Sequence, residues 1–163
     1  LMHALAEFRT RMGFEISCVL TGHDYGYWPE VEKIRNNLAL RSVFYLGRVE
    51  FKELLWLYKH CSAVLALGLH ESSSLPVREG AVFGKPLLCA DILPNVESAE
   101  CLHLQLFRQD APDALADLLV AVHEGAGNIF ESSIQNKAAI TSLQWHVIAK
   151  KYMEHLTENF LGL

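Results

Sequence analysis

Three observations place this chain of 163 residues in the α/β class, with a mostly parallel sheet covered by helices on both faces. Short β-rich runs alternate with stretches of helical spacing along the whole sequence. Brief loops join them, which suits strand–helix–strand crossovers. Just over half of the residues are hydrophobic and a fifth are charged, as expected of a protein with a well-buried sheet. A chain of this length fits one domain able to bury roughly two thirds of its unfolded surface.

The first element is a helix over Leu1 to Met12, with apolar positions Leu1, Leu5 and Phe8 or Met12, stopped by Gly13. Phe14 to Leu20 reads as a buried strand that ends at Thr21-Gly22-His23-Asp24. Trp28 to Leu40 returns to helical spacing through Val31, Ile34 and Leu38, with Pro29 suited to a first turn. Ser42 to Gly47 is the second strand. A helix from Phe51 to His60 follows, and Ala63 to Leu67 is the third strand.

The stretch His70 to Leu88 then runs loop, short helix and fourth strand: serines before Pro76, a helix to about Phe83 closed near Gly84, and a strand from Pro86 to Ala90. Leu102 to Phe107 alternates as a half-buried strand near a sheet edge does. Asp110 or Pro112 starts a helix whose apolar face holds Leu115, Leu118, Leu119 and Val122, broken by Gly125 and Gly127. Residues 129–163 are helical in composition, with a joint near Thr141-Ser142 and a last helix through Trp145, Ile148, Tyr152 and Leu156. Trp28, Trp56 and Trp145 read as core.

In a parallel sheet, ligands bind at the loops after the strand C-termini. Gly22-His23-Asp24, Gly47-Arg48-Val49 and Gly68 to Leu75 all fall there, so three loops are expected to converge on one site. Ser72, Ser73 and Ser74 precede Pro76 and offer hydroxyl and backbone N–H groups to an anion at a helix N-terminus, although capping is the commoner reason for serine there. Glu71 and Glu79 flank that terminus. Glu79, expected in the first turn, is either a carboxylate complementing the helix dipole or an acceptor for two adjacent hydroxyls such as a ribose diol. Taken singly each glutamate reads as structural; together with Pro76, Gly84 and the following strand their spacing points to a site.

Other chemistries find little in the residues. The net charge of −5, with no block of Lys and Arg, argues against nucleic acid. The eight histidines form no H-x-x-H or H-E-x-x-H, so no metal is implied. Cys18, Cys61, Cys89 and Cys101 fall singly in apolar surroundings and read as small buried hydrophobes of a reducing, cytoplasmic compartment. G-x-G-x-x-G, the P-loop and G-x-S-x-G are missing, which removes nicotinamide, P-loop and hydrolase-elbow readings. No apolar run approaches the ~18 residues of a membrane span.

The stretch Glu71-Ser72-Ser73-Ser74-Leu75-Pro76-Val77-Arg78-Glu79-Gly80-Ala81-Val82-Phe83-Gly84-Lys85-Pro86-Leu87 resembles the E-x7-E region of the group 1 retaining nucleotide-sugar glycosyltransferases, the family of glycogen synthases and mannosyltransferases, whose pattern runs E-G/S-F-G-L-P-x-x-E-A-x-x-x-G-K-P-V. Val19-Leu20-Thr21-Gly22 is similar to that family's V-G-x-G loop, Phe44 to Val49 to its F-L-G-x-V, Ala90-Asp91-Ile92 before Asn95-Val96-Glu97 to its S-D…E, Asp110 to Leu115 to its D-P-E-A-L, and Leu143-Gln144-Trp145 to its closing F-S-W.

The resemblance implies a doubly wound, Rossmann-like sheet forming the C-terminal, donor-binding half of a GT-B fold over residues 1–163. It also implies a hexosyltransferase that takes a UDP- or GDP-sugar without a metal. Carried over by position, Glu71 faces the transferred sugar as the catalytic residue, and Ser73, Ser74 and Leu75 hold the diphosphate. Glu79 takes the ribose, and Gly22, Gly47, Arg48, Val49 and Glu50 border the donor and its base.

Ser73-Ser74 stands where the family has Phe-Gly, and Gly80 where it has Ala, the latter a small weakening of the helix. The family's first strand, with its G-R…K-G cations, and its N-terminal acceptor domain would both precede Leu1. The chain alone is therefore expected to be inactive. Its acceptor, a glycan or lipid-linked glycan, and any membrane-surface contact would come through those parts. Two alternatives are a non-catalytic nucleotide-sugar-binding or interaction domain, and a sugar-nucleotide epimerase domain on the same scaffold.

Overall fold

The computed structural model describes residues 1–140 and 145–157, with Trp145 described by its backbone. The expected joint at Thr141-Ser142 and the Leu143-Gln144 part of the F-S-W resemblance lie outside the described residues.

Eight helices and five strands alternate among the described residues. They are α1 (Met2–Met12), β1 (Cys18–Thr21), α2 (Trp28–Asn37), β2 (Val43–Gly47), α3 (Phe51–His60), β3 (Val64–Ala66), α4 (Leu75–Val82), β4 (Leu87–Ala90), α5 (Leu93–Ser98), β5 (Gln105–Phe107), α6 (Pro112–His123), α7 (Gly127–Ala139) and α8 (Trp145–Leu156). Every strand pair is parallel. The strands form two sheets, β1-β2 and β3-β4-β5, where the sequence suggested one continuous sheet. A common core nevertheless joins them. Cys18 and Val43 of the first sheet pack in one cluster with Leu88, Ala90 and Phe107 of the second, together with Phe8 of α1 and Leu115 of α6.

Strand β4 shows why its sequence reads as an unbroken apolar run. Leu88 and Ala90 face the α1/α6 core, while Leu87 and Cys89 face a second cluster with Val64, Ala66 and the α4 residues Val77 and Ala81. All four β4 residues are buried, as a strand covered on both faces requires.

Several elements are shorter than the apolar runs suggested, and side chains explain two of them. Residues Phe14 to Ser17 stay outside β1. The Glu15 carboxylate accepts the backbone N–H groups of Arg41 and Ser42, each at 2.8 Å, and that of the Arg9 guanidinium at 3.2 Å. Phe14 stands edge-on to Phe8 and tilted on His123. This stretch is thus tied by side chains, not by a ladder.

Leu102 to Leu104 likewise precede β5. The wholly buried Asn136 of α7 grips the backbone of His103, accepting its N–H at 2.6 Å and donating to its carbonyl at 2.8 Å. The short α5, with Pro94 in its first turn, was not evident in the sequence.

Three burial expectations change. Trp56 is 59% exposed and stacked on His60, because α3 buries none of its residues. Trp28 is half-buried. Cys18 and Cys89 are buried, but Cys61 is half-buried and Cys101 exposed. Along α8, Ile148 is half-buried and Tyr152 exposed.

Candidate functional site

The loop of residues 68–74 leaves the C-terminal end of β3 and delivers the chain to α4. Ser74 is the residue before the helix, and Pro76 lies in the first turn, where its fixed φ and missing N–H cost nothing. The Ser74 side chain makes no capping hydrogen bond, so capping does not account for this serine. Its φ of −74° is open to any L-residue, and Ser for Gly therefore needs no backbone strain here. Ser74 is 4% exposed, whereas Leu75 is 61% exposed. Of the groups expected near a diphosphate, Leu75 and the exposed Ser73 are the accessible ones. At the other end of α4, Gly84 takes the left-handed conformation (φ 62°) that closes a helix.

Glu71 is exposed, and its side chain lies across the backbone of Gly68. A Cβ added to Gly68 would meet the Glu71 Oε1, and would stand 2.9 Å from its Cγ. A side chain at position 68 would thus displace the carboxylate.

Glu79 is the fifth residue of α4, and the first turn contains no acid. The expectation of a first-turn carboxylate complementing the dipole is corrected accordingly, since that effect fades beyond the first turn. Instead the Tyr58 hydroxyl of α3 donates to Glu79 Oε2 at 2.6 Å. Burial, then the hydrogen bond to Glu79 and its charge, raise the Tyr58 pKa, so the phenol stays a donor.

Gly80 faces the sheet. A Cβ there would stand 2.5 Å from Leu87 Cδ2 and 3.0 Å from Val64 Cγ2. The glycine that replaces the usual alanine is what lets α4 approach β3 and β4 so closely, a role the sequence reading of helix weakening had missed.

A second group gathers at the ends of β1 and β2. Gly22 (φ 115°) donates its N–H to the Gly47 carbonyl at 2.8 Å, and Gly47 (φ 63°) ends β2. The Tyr45 hydroxyl donates to the Gly22 carbonyl at 2.8 Å. Arg48 and Glu50 are exposed, and Val49 is half-buried. Glu50 is the residue before α3 and forms a reciprocal capping box with Glu53, whose carboxylate accepts the Glu50 N–H at 2.8 Å.

The structure therefore brings Gly22 to Gly47, and Glu79 to Tyr58. Among the described residues no hydrogen bond joins the group from Gly22 to Glu50 to the group from Glu71 to Glu79. Lys85 anchors the far end of α3, donating to the Lys59 carbonyl at 2.9 Å. Among the described residues no three His, Cys, Asp or Glu side chains come together in a metal-binding group. No helix among them is long and apolar enough to cross a membrane.

Alr3699/HepE of Anabaena, crystallised with UDP and glucose, matches 96% of this chain at a TM-score of 0.76 and 19% identity. The same protein with UDP-glucose matches equally well. TarM matches 99% of the chain at a TM-score of 0.63 and 13% identity. The chain has the fold of a GT-B C-terminal half.

The chain spans 44% of HepE and 31% of TarM, less than half of either. No protein-family model matches it, and neither does any curated protein. The likeness thus lives in the backbone.

Proposed function

We propose that this chain is the donor-binding domain of a retaining glycosyltransferase, moving a hexose from a UDP- or GDP-sugar to a glycan or lipid-linked glycan presented by a further domain, with no resident metal. The observation that carries this reading is the position of Glu71 and Glu79. They lie in the loop after β3 and in α4 of a fold shared with HepE, a protein crystallised with UDP-glucose.

In this reading Glu71 faces the transferred sugar. The diphosphate rests on Ser73, Ser74 and Leu75 at the start of α4, where backbone N–H groups and the helix dipole favour an anion. Glu79 accepts the ribose hydroxyls. Gly22 and Gly47 to Glu50 border the donor and its base. Work in the cytoplasm fits the isolated thiols.

Calorimetry with UDP and GDP tests the reading. Binding that Glu79→Ala weakens about tenfold or more, and that Glu71→Ala leaves largely intact, supports it. No binding of either nucleotide to the parent chain overturns it.

A further inference from the structure

We infer that Tyr58 is a positioning residue for Glu79, holding its carboxylate in the orientation that receives the ribose diol; this rests on the donor-site reading above. Three contacts fix Tyr58 against α4. Its hydroxyl donates to Glu79 Oε2 at 2.6 Å. Its ring lies nearly parallel to that of Phe83, 9° apart with centroids 5.7 Å away. It also packs, partly buried, on the cluster of Val64, Val77, Ala81 and Leu87.

Glu79 and Phe83 are four residues apart, on adjoining turns of one helix face, so a single aromatic side chain spans both. A glutamate on a helix surface otherwise samples several rotamers, and a ligand that needs one of them must restrict the rest. Here the phenol occupies one lone pair of Oε2 and leaves Oε1 and the remaining lone pair of Oε2 as acceptors. Two acceptors on one fixed carboxylate match two vicinal hydroxyls.

Tyr58 lies on α3, whose preceding residue is Glu50, so the helix that follows the expected base-bordering loop is the one that contacts the expected ribose acceptor. Lys85, beyond α4, also ties that segment to the end of α3 through the Lys59 carbonyl.

The test compares UDP and GDP with their 2′,3′-dideoxy counterparts by calorimetry, using the parent chain, Tyr58→Phe and Glu79→Gln. Phenylalanine keeps the stack on Phe83 and removes only the donor. Circular dichroism and the thermal midpoint verify that both variants fold. The parent is expected to prefer the ribonucleotide. Tyr58→Phe should weaken ribonucleotide binding about two- to tenfold, leave dideoxynucleotide binding unchanged, and so shrink the preference. Glu79→Gln should remove most of the preference.

A purely structural role for Tyr58 would lower both affinities together, and that result overturns the inference, as does an unchanged preference in Tyr58→Phe. A parent that binds nucleotide without any ribose preference, or none at all, overturns the assignment of Glu79 and this inference with it. A ribose preference lost in Glu79→Gln but intact in Tyr58→Phe overturns the inference alone.

Discussion

Two glycines 12 positions apart carry opposite meanings, and substitution separates them. At Gly68 the obstacle to a side chain is the end of a flexible one, Glu71, which can swing into water. Gly68→Ala should therefore leave the thermal midpoint within about 2 °C of the parent, since surface changes of this kind stay within about 0.5 kcal/mol. The displaced Glu71 carboxylate should lower the extra affinity for a UDP-sugar over UDP, read by competition calorimetry. At Gly80 the obstacle is the buried Leu87 and Val64. Gly80→Ala should cost about 1–3 kcal/mol in overpacking, which outweighs the helix-propensity gain of up to about 1 kcal/mol. Urea unfolding checks this; a stabilised Gly80→Ala chain would show that α4 can move off the sheet.

Single side chains also set where elements begin. Asn136 closes both polar groups of the His103 backbone from inside the protein, so Asn136→Ala removes two part-buried hydrogen bonds and should cost about 1–3 kcal/mol in urea unfolding. Glu15 does the same work between the connections that lead into β1 and β2. Its partial burial acts against ionisation, but the Arg41 and Ser42 N–H groups and the Arg9 guanidinium outweigh it and hold the carboxyl below its ordinary value of 4.5. A depressed folded pKa stabilises the protein above the unfolded pKa, and the gain disappears as pH falls through the folded one. Stability should therefore drop as pH is lowered below about 4.5. Glu15→Gln should flatten that part of the acid limb, measured by urea midpoints between pH 5 and about 2.

These clamps mark the limit of what periodicity reveals. The α3 and α6 boundaries were legible because turn residues and apolar spacing agree there. The ends of β1 and β5 were not, because they are decided by contacts to Arg41 and Asn136, which lie 26 and 33 residues away in sequence.

At the scale of the molecule, the fold class was readable because it depends on local pattern, the alternation of strands and helices. The division into two sheets was not readable, since strand pairing is a long-range choice. Nor was the hydrogen bond between Tyr58 and Glu79, which needs α3 and α4 side by side. The exposure of Trp56 shows the same limit, because an apolar helix face indicates what can be buried, not what is.

Backbone amide NMR of the 15N-labelled chain during titration with UDP-glucose tests most directly whether the loop after β3 and helix α4 form the proposed nucleotide-sugar site. Saturable shifts concentrated at residues 68–79 and 47–50, abolished at the second half of the stretch by Glu79→Ala, are expected. Shifts confined to other parts of the chain, or none at saturating ligand, would contradict it.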